Sequence, residues 1–244
     1  MKRSIFILGF ICMFGSCKIK NLTESKSEKI IKKAVEKHGG KNYEKFDVSF
    51  DFRAFKVRLK QDGENYRFER VTQDSTNNQI KDILTNSSFE RQINGEKKVL
   101  SEKNFSKYKE GINSIAYFVL LPYKLLDAAV ISEYIGNEVL EGKKYNKITV
   151  KFKKEGGGKD HDDVFCYWFN EETNTMDFLA YDNGGPRFRK AVNRKEVGGI
   201  IFQDYENYEI LDKNIPTTEY DKAFKNGKAK LLSKIEQTNY LDNK

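Results

Sequence analysis

The segment 112–127, INSIAYFVLLPYKLLD, is apolar enough to resemble a membrane-spanning helix. Pro122, Lys124 and Asp127 interrupt it, and Asn113 lies near its start. Charges inside a bilayer are costly, and a proline kinks or ends a helix. We therefore predict a buried helix that is kinked or ended at Pro122. Because the segment is apolar on nearly every face, other elements must cover it.

Segments in which polar and apolar residues alternate flank this helix and predict β-strands. Within residues 46–59 the alternation slips between Phe52 and Phe55, which predicts a bulge or a strong bend. Residues 61–64 and the pair Asn94-Gly95 are typical of hairpin turns. Further strands are predicted over residues 66–72, 88–93, 97–100, 145–152, 164–169, 176–181, 187–192 and 200–211.

Turns between neighbouring strands, with few helices among them, indicate an antiparallel sheet with sequential connections. The predicted fold class is α+β: a curved, mostly antiparallel meander sheet, or half-barrel, wrapped around the hydrophobic helix.

An N-terminal helix is predicted to begin at the capping box Ser25 to Glu28 and to end at Gly39-Gly40. His38 lies near its C-terminal end, where the helix dipole favours an imidazole. A loose C-terminal helix is predicted from the spacing of Tyr220, Phe224, Leu231, Leu232 and Ile235.

The N-terminus has the pattern of an export signal. Lys2 and Arg3 precede an apolar run over residues 4–14, which is too short to cross a bilayer core of ~30 Å as a helix. The run ends in FGSC, residues 14–17, which resembles a bacterial lipobox with phenylalanine in place of the usual leucine. We predict that Cys17 is lipidated; a buried or disulfide-bonded Cys17 is the alternative. Lys18 is not the aspartate associated with inner-membrane retention, which favours the outer membrane.

These features divide the chain into a lipoprotein signal peptide at 1–16, a tether at 17–26, a half-barrel domain at 27–212 and a C-terminal helical tail at 213–244.

The net charge is +8, but lysine and glutamate are interleaved and form no stripe of one sign. A solvated surface is the better interpretation, and no nucleic-acid partner is predicted. The lipid anchor makes the membrane a partner, and places the protein in the cell envelope, facing the periplasm or the cell exterior.

The polar stretch GGGKDHDD, residues 156–163, contains one of the chain's two histidines. Asp160, Asp162 and Asp163 offer oxygen ligands to a cation, and His161 would favour zinc or manganese. In an extended segment, however, Asp160 and Asp162 face one side while His161 and Asp163 face the other. We favour a polar turn; a weak cation site, or a metal-assisted hydrolase using Asp160, His161 and Asp162, is the alternative. No metal or other cofactor is predicted.

Arg187 and Arg189 share one face of a predicted strand, with Phe188 on the other. Two guanidinium groups on one face could grip a carboxylate or phosphate head group. They could equally pair with Asp160, Asp162 or Asp163 of a neighbouring hairpin, and we favour this internal pairing.

The chain contains, in this order, the motifs AVEKHGG (34–40), YF (117–118), LPY (121–123), GGG (156–158), DHDD (160–163), LAY (179–181), RFR (187–189) and GGI (198–200). The order of these motifs resembles that in the uncharacterised lipoproteins of Bacteroidota-type bacteria grouped as a domain of unknown function. That family is similar, at the level of fold, to the LolA/LolB-like periplasmic lipoprotein carriers, which are half-barrels closed by helices around an acyl-binding cavity. The resemblance implies a fold more firmly than an activity, because sites and not folds carry function.

We therefore predict an envelope-anchored lipoprotein, not an enzyme, that binds an apolar or acyl-chain ligand in a half-barrel cavity. The alternatives are the metal-assisted hydrolase and a structural lipoprotein with a fully packed core. No catalytic residues are predicted. The predicted ligand-binding residues are Phe50, Phe52, Tyr117, Phe118, Leu121, Trp168, Tyr181, Arg187 and Arg189.

Overall fold

A computed structural model describes residues 24–156 and 161–244. In chain order, the first half of the described chain contains α1 (Lys26–His38), β1 (Lys45–Phe52), β2 (Phe55–Asp62), β3 (Asn65–Gln73), β4 (Gln79–Thr85), β5 (Phe89–Ile93), β6 (Glu96–Lys97) and α2 (Glu102–Val119). The second half contains β7 (Val130–Leu140), β8 (Lys143–Phe152), β9 (Phe165–Asn170), β10 (Met176–Tyr181), β11 (Arg187–Val197), β12 (Ile200–Ile210), α3 (Tyr220–Lys225), β13 (Ala229–Ile235) and β14 (Gln237–Asp242).

The strands of the described residues form two open antiparallel sheets of seven strands each. The first sheet has the order β14-β1-β2-β3-β4-β5-β6, and the second has the order β13-β12-β11-β10-β9-β8-β7. Apart from β13 and β14, each sheet is a meander of sequential hairpins. Only Glu236 separates β13 from β14, so the chain passes directly from the edge of one sheet to the edge of the other. The predicted α+β fold class, a curved and mostly antiparallel sheet around a helix, is confirmed.

Helix α1 begins as predicted. The Ser25 hydroxyl accepts a hydrogen bond from the amide of Glu28, whose carboxylate accepts one from the Ser25 amide at 2.7 Å.

His38 at the other end of α1 is fully buried, and its Nε2 accepts a hydrogen bond from the amide of Met176 at 3.2 Å. Burial, followed by the charge of Arg194, lowers the pKa of His38 to about 4. The imidazole is therefore neutral at pH 7, and it serves at the helix end as a buried hydrogen-bond acceptor rather than as a charge.

Helix α2 ends before Pro122, as predicted, but it begins earlier than the apolar segment. The Ser101 hydroxyl caps it by accepting a hydrogen bond from the amide of Asn104 at 3.4 Å. After Val119 the chain passes through a cis Leu121-Pro122 peptide into a 3-10 helix over Tyr123–Leu126. None of the helices in the described ranges is both long and apolar enough to cross a membrane.

Several predicted elements differ in the structure. The slip between Phe52 and Phe55 is a two-residue hairpin turn, in which Arg53 takes a left-handed φ of 55°, and not a bulge. Strands β4 and β7 were not predicted. The predicted C-terminal helix is confirmed only over Tyr220–Lys225; Leu231, Leu232 and Ile235 lie in strand β13. The open edges of β12 and β1 pair with β13 and β14, and this tertiary pairing outweighs a weak helical spacing.

The second sheet is buried on both faces, which gives the molecule two cores. The inner core fills the space between the two sheets, α1 and α2, whereas α3 covers a smaller outer core on the opposite face of the second sheet. In the outer core, the Asp221 carboxylate accepts hydrogen bonds from Lys147 Nζ at 2.6 Å and Trp168 Nε1 at 3.1 Å. Cys166 also lies there, and burial raises the pKa of its thiol to about 12, so the thiol stays neutral and packs as a small apolar group.

Burial of neutral His38 predicts acid sensitivity. Its pKa is about 4 in the folded state, against about 6.5 when unfolded, so between these values only the unfolded chain binds the proton. We expect the free energy of unfolding to fall by about 3 kcal/mol as the pH drops from 6.5 towards 4. Urea denaturation at several pH values across this range measures how the free energy of unfolding changes with pH. A His38→Gln variant should lack the contribution of His38 to this change. Equal slopes in the two proteins would contradict the assignment.

Candidate functional site

A cavity of about 660 Å³ lies beside the C-terminal end of α2, between the inner faces of the two sheets. Sites for a single small ligand typically have volumes of ~300–1,000 Å³. The first sheet contributes Phe52, Arg53, Tyr66 and Phe68 to the cavity wall. The second sheet contributes Phe152, Phe165, Tyr167, Leu179, Tyr181, Arg189 and Ile235. Helix α2 and the segment after it contribute Asn113, Ser114, Ile115, Tyr117, Phe118, Leu121, Lys124, Asp127 and Ala129.

Phe118 connects α2 to both sheets. Its ring centroid lies 6.2 Å from that of Phe52 in the first sheet and 4.9 Å from that of Tyr205 in the second. The preceding residue, Tyr117, packs edge-on against Phe152 of β8 at 5.9 Å. The helix end therefore meets the aromatic side chains of both sheets, and the cavity lies between these contacts.

The structure brings six of the nine predicted ligand-binding residues together in this cavity. Phe52, Tyr117, Phe118, Leu121, Tyr181 and Arg189 all line it. These residues come from both sheets and from the end of α2, so sequence patterns far apart in the chain meet at one site. The other three of the nine, Phe50, Trp168 and Arg187, lie elsewhere in the structure.

Trp168 is on the wrong face of its strand for this cavity. Successive residues of a strand point to opposite faces, so Phe165 and Tyr167 face the cavity while Trp168 points into the outer core. Phe50 packs inside the inner core against Phe202 and Tyr240. Arg187 donates a hydrogen bond to the carbonyl of Pro186 at 3.1 Å and lies 4.0 Å from a carboxylate oxygen of Glu209.

The prediction also missed residues that line the cavity. Tyr66 and Phe68 alternate on β3, and Phe165 and Tyr167 alternate on β9, so each pair presents aromatic rings to one face. The signal was the period of two, but the sequence alone does not state which face of a doubly buried strand points inward. Arg53 was missed because its hairpin turn was interpreted as a bulge.

Polar groups interrupt the aromatic lining. Lys124 Nζ lies 3.4 Å from a carboxylate oxygen of Asp127, which neutralises that end of the cavity. The hydroxyl of Tyr117 is buried and has no hydrogen-bond partner among the described residues. Burial raises the pKa of this hydroxyl well above its usual value, so it remains a neutral donor and acceptor.

The polar stretch 156–163 is only partly within the described residues. His161 Nε2 lies 3.3 Å from a carboxylate oxygen of Asp162, and the His161 carbonyl accepts a hydrogen bond from the Phe152 amide at 3.3 Å. Residues 157–160, including Asp160, and the predicted lipidation site Cys17 lie outside that range. Across residues 24–156 and 161–244, no group of three or more potential ligands is placed to hold a metal ion. Asp162 and Asp163 do not form the predicted ion pairs with Arg187 or Arg189.

Comparison with known proteins identifies the family. A protein-family model described as a family of unknown function, DUF6503, matches residues 3–237. The chain belongs to this family. The predicted resemblance to a family of unknown function is thus confirmed. No curated protein matches the DUF6503 chain.

Among solved structures, the DUF6503 chain is similar to a LolA superfamily protein from Nitrosomonas europaea, with 11% identity, a TM-score of 0.49, and coverage of 89% of this chain and 94% of that one. A DUF1329 family protein from Desulfovibrio piger has 8% identity, a TM-score of 0.41, and coverage of 89% and 93%. MucB has 9% identity, a TM-score of 0.26, and coverage of 85% and 65%. At these values, function has to be argued from the chain's own residues.

The buried hydroxyl of Tyr117 generates a stability prediction. An unpaired buried polar group costs about 1–3 kcal/mol, so a Tyr117→Phe variant should be as stable as the ligand-free parent or more stable by about 1 kcal/mol. The matched control is Tyr205→Phe, which removes the acceptor of the Gln203 amide at 2.6 Å and should lower the free energy of unfolding by about 1 kcal/mol. Chemical denaturation measures both. Equal losses in the two variants would mean that the Tyr117 hydroxyl does have a partner.

Proposed function

We propose that this protein is a lipid-anchored envelope protein that binds one apolar, acyl-chain type ligand in the cavity beside α2. The observation that carries the proposal is the cavity itself, with about 660 Å³ between the end of α2 and both sheets. Nine aromatic side chains line it, and burying a methylene group against apolar surface is worth about 0.8 kcal/mol. A cavity of this size, with an apolar and aromatic wall and a few polar groups, favours ligand binding over a purely structural role.

The architecture supports this use of the cavity. The residues that line it come from rigid strands and from the last turns of α2, so most of its wall is formed before any ligand arrives. Sites for small apolar ligands are usually preformed in this way, with a few polar groups among apolar and aromatic side chains. The charged side chains in the described wall are Lys124, Asp127, Arg189 and, at the β1–β2 turn, Arg53.

A bulky side chain at Ser114 tests the proposal. Ser114 is an exposed residue of α2 that lines the cavity, so a tryptophan there can occupy ligand space without disturbing the core. We expect Ser114→Trp to weaken binding of hexadecanol about tenfold or more, since two excluded methylene groups cost about 0.8 kcal/mol each and other contacts are lost with them. Displacement of the neutral dye N-phenyl-1-naphthylamine, followed by fluorescence, measures the affinity.

Lys109→Trp is the matched control, because Lys109 is an exposed α2 residue that does not line the cavity. It should bind hexadecanol like the parent protein. Native mass spectrometry of gently purified protein should show a bound amphiphile in the parent and in the control. If neither dye nor hexadecanol binds the parent protein, the proposed function is wrong.

We infer the anchor from the FGSC motif at residues 14–17, which follows a charged start and a short apolar run. Processing at this motif would leave Cys17 as the first residue of the mature chain and the bearer of the lipid. The segment from Cys17 to the start of α1 at Lys26 would then connect the membrane to the fold.

A Cys17→Ser variant tests the anchor. We expect the parent protein to fractionate with membranes and to incorporate radiolabelled palmitate, and the variant to lose both properties. Cys166→Ser is the control, since Cys166 is buried in the outer core and should not affect fractionation. A variant that stays in the membrane fraction would refute lipidation at Cys17.

A further inference from the structure

Arg189 has an unusual environment for a charged side chain. Its guanidinium carbon lies 4.6 Å from the ring centroid of Phe118 and 4.9 Å from that of Tyr181. Its Nη2 donates a hydrogen bond to the Tyr181 hydroxyl, and its Nε donates one to the Asn207 amide oxygen at 3.4 Å. All of these neighbours are uncharged. Among the described residues, nothing accepts a hydrogen bond from Nη1, and no carboxylate lies within ion-pair distance.

Other cations of the described chain with little exposure are paired with carboxylates. Lys147 lies 2.6 Å from Asp221. In the first sheet, Arg70 and Arg91 share Asp82 at 2.7 and 2.6 Å. A buried charge without a counter-charge is costly, and proteins normally pair it. Arg189 has no such carboxylate partner among the described residues.

A second arginine adds positive charge to the same cavity. Arg53 lines it from the β1–β2 turn. Burial lowers the pKa of Arg189, and the charges of Arg53 and Arg187 lower it further. The acidic residue in the described cavity wall is Asp127, which pairs with Lys124. The two arginines therefore place positive charge, without neutralisation by the described wall, beside an aromatic surface.

We propose that the cavity selects a single-chain amphiphile with an anionic head group, a carboxylate or a phosphate, and that Arg189 binds this head group. The proposal rests on the proposed function and names its ligand class. A guanidinium group presents its donors in a planar fork that suits these two anions. The rings of Phe118 and Tyr181 hold that plane in position, so little side-chain freedom is lost on binding.

The chain of the amphiphile would lie against the aromatic wall. The buried Tyr117 hydroxyl, which lacks a partner among the described residues, is a further donor in the same cavity. The ligand thus satisfies both the charge and the apolar surface within one site. A neutral amphiphile would cover the apolar surface and leave Arg189 without a counter-charge.

The test compares palmitate, hexadecyl phosphate and hexadecanol, which share a chain length and differ in the head group. We expect the parent protein to bind at least one of the two anions about 10- to 100-fold more tightly than hexadecanol, the range expected for a charge-assisted hydrogen bond. Arg189→Gln should bring the affinities for the anions down towards the affinity of the same variant for hexadecanol, and its circular dichroism spectrum checks that the variant is folded. Arg189→Lys should retain part of the preference, because it keeps the charge without the fork.

Lys190→Gln is the matched control for loss of one positive charge. Lys190 is the next residue of β11, lies on the opposite face and pairs with Glu141 at 2.5 Å, so its variant should keep the full preference for the anions. A preference for only one anion would identify the head group. Equal binding of all three amphiphiles by the parent, or an unchanged preference in Arg189→Gln, would overturn the proposal while leaving the apolar site intact. No binding of any of the three would instead count against the proposed function.

Discussion

Phe118 is the side chain on which the arrangement of the two sheets depends. It lies at the end of α2 between Phe52 of one sheet and Tyr205 of the other, with ring centroids 6.2 and 4.9 Å away. The chain also links the sheets through the short step between β13 and β14 at Glu236. Phe52 lies in β1 and Tyr205 in β12, the strands next to β14 and β13, so the Phe118 ring lies between the sheets close to their joined edges. The space that remains beside the ring is the cavity.

The buried polar clusters differ in what they do. Asp221 with Lys147 and Trp168 fixes α3 to the outer face of the second sheet, and Asp82 with two arginines lies where α2 crosses the first sheet. In both clusters, charge is balanced within the fold, which is the usual condition for a buried ion pair to be tolerated. Arg189 has only neutral partners among the described residues. Perturbed charges of this kind occur preferentially at functional sites.

Much of this fold was predictable because its local signals are strong. The capping box at Ser25, the turn at Asn94-Gly95 and the end of α2 before Pro122 follow from short-range chemistry. The choice between Tyr167 and Trp168 for the cavity was not predictable, because a strand buried on both faces carries apolar residues on each and a shift of one residue exchanges them. Strands β13 and β14 were missed because their stability comes from pairing with β12 and β1, which no local pattern reveals.

Phe118 also contacts the charged group of the cavity. Its ring centroid lies 4.6 Å from the guanidinium carbon of Arg189. A shift of the end of α2 would therefore change both the width of the cavity and the support of the charged group. Under the proposed function, an amphiphile bound beside Phe118 would contact both: its chain would lie against the aromatic wall and its head group would meet the cation. Because one side chain packs the end of α2 and supports the guanidinium, a ligand in the cavity would contact the same ring that holds the helix end.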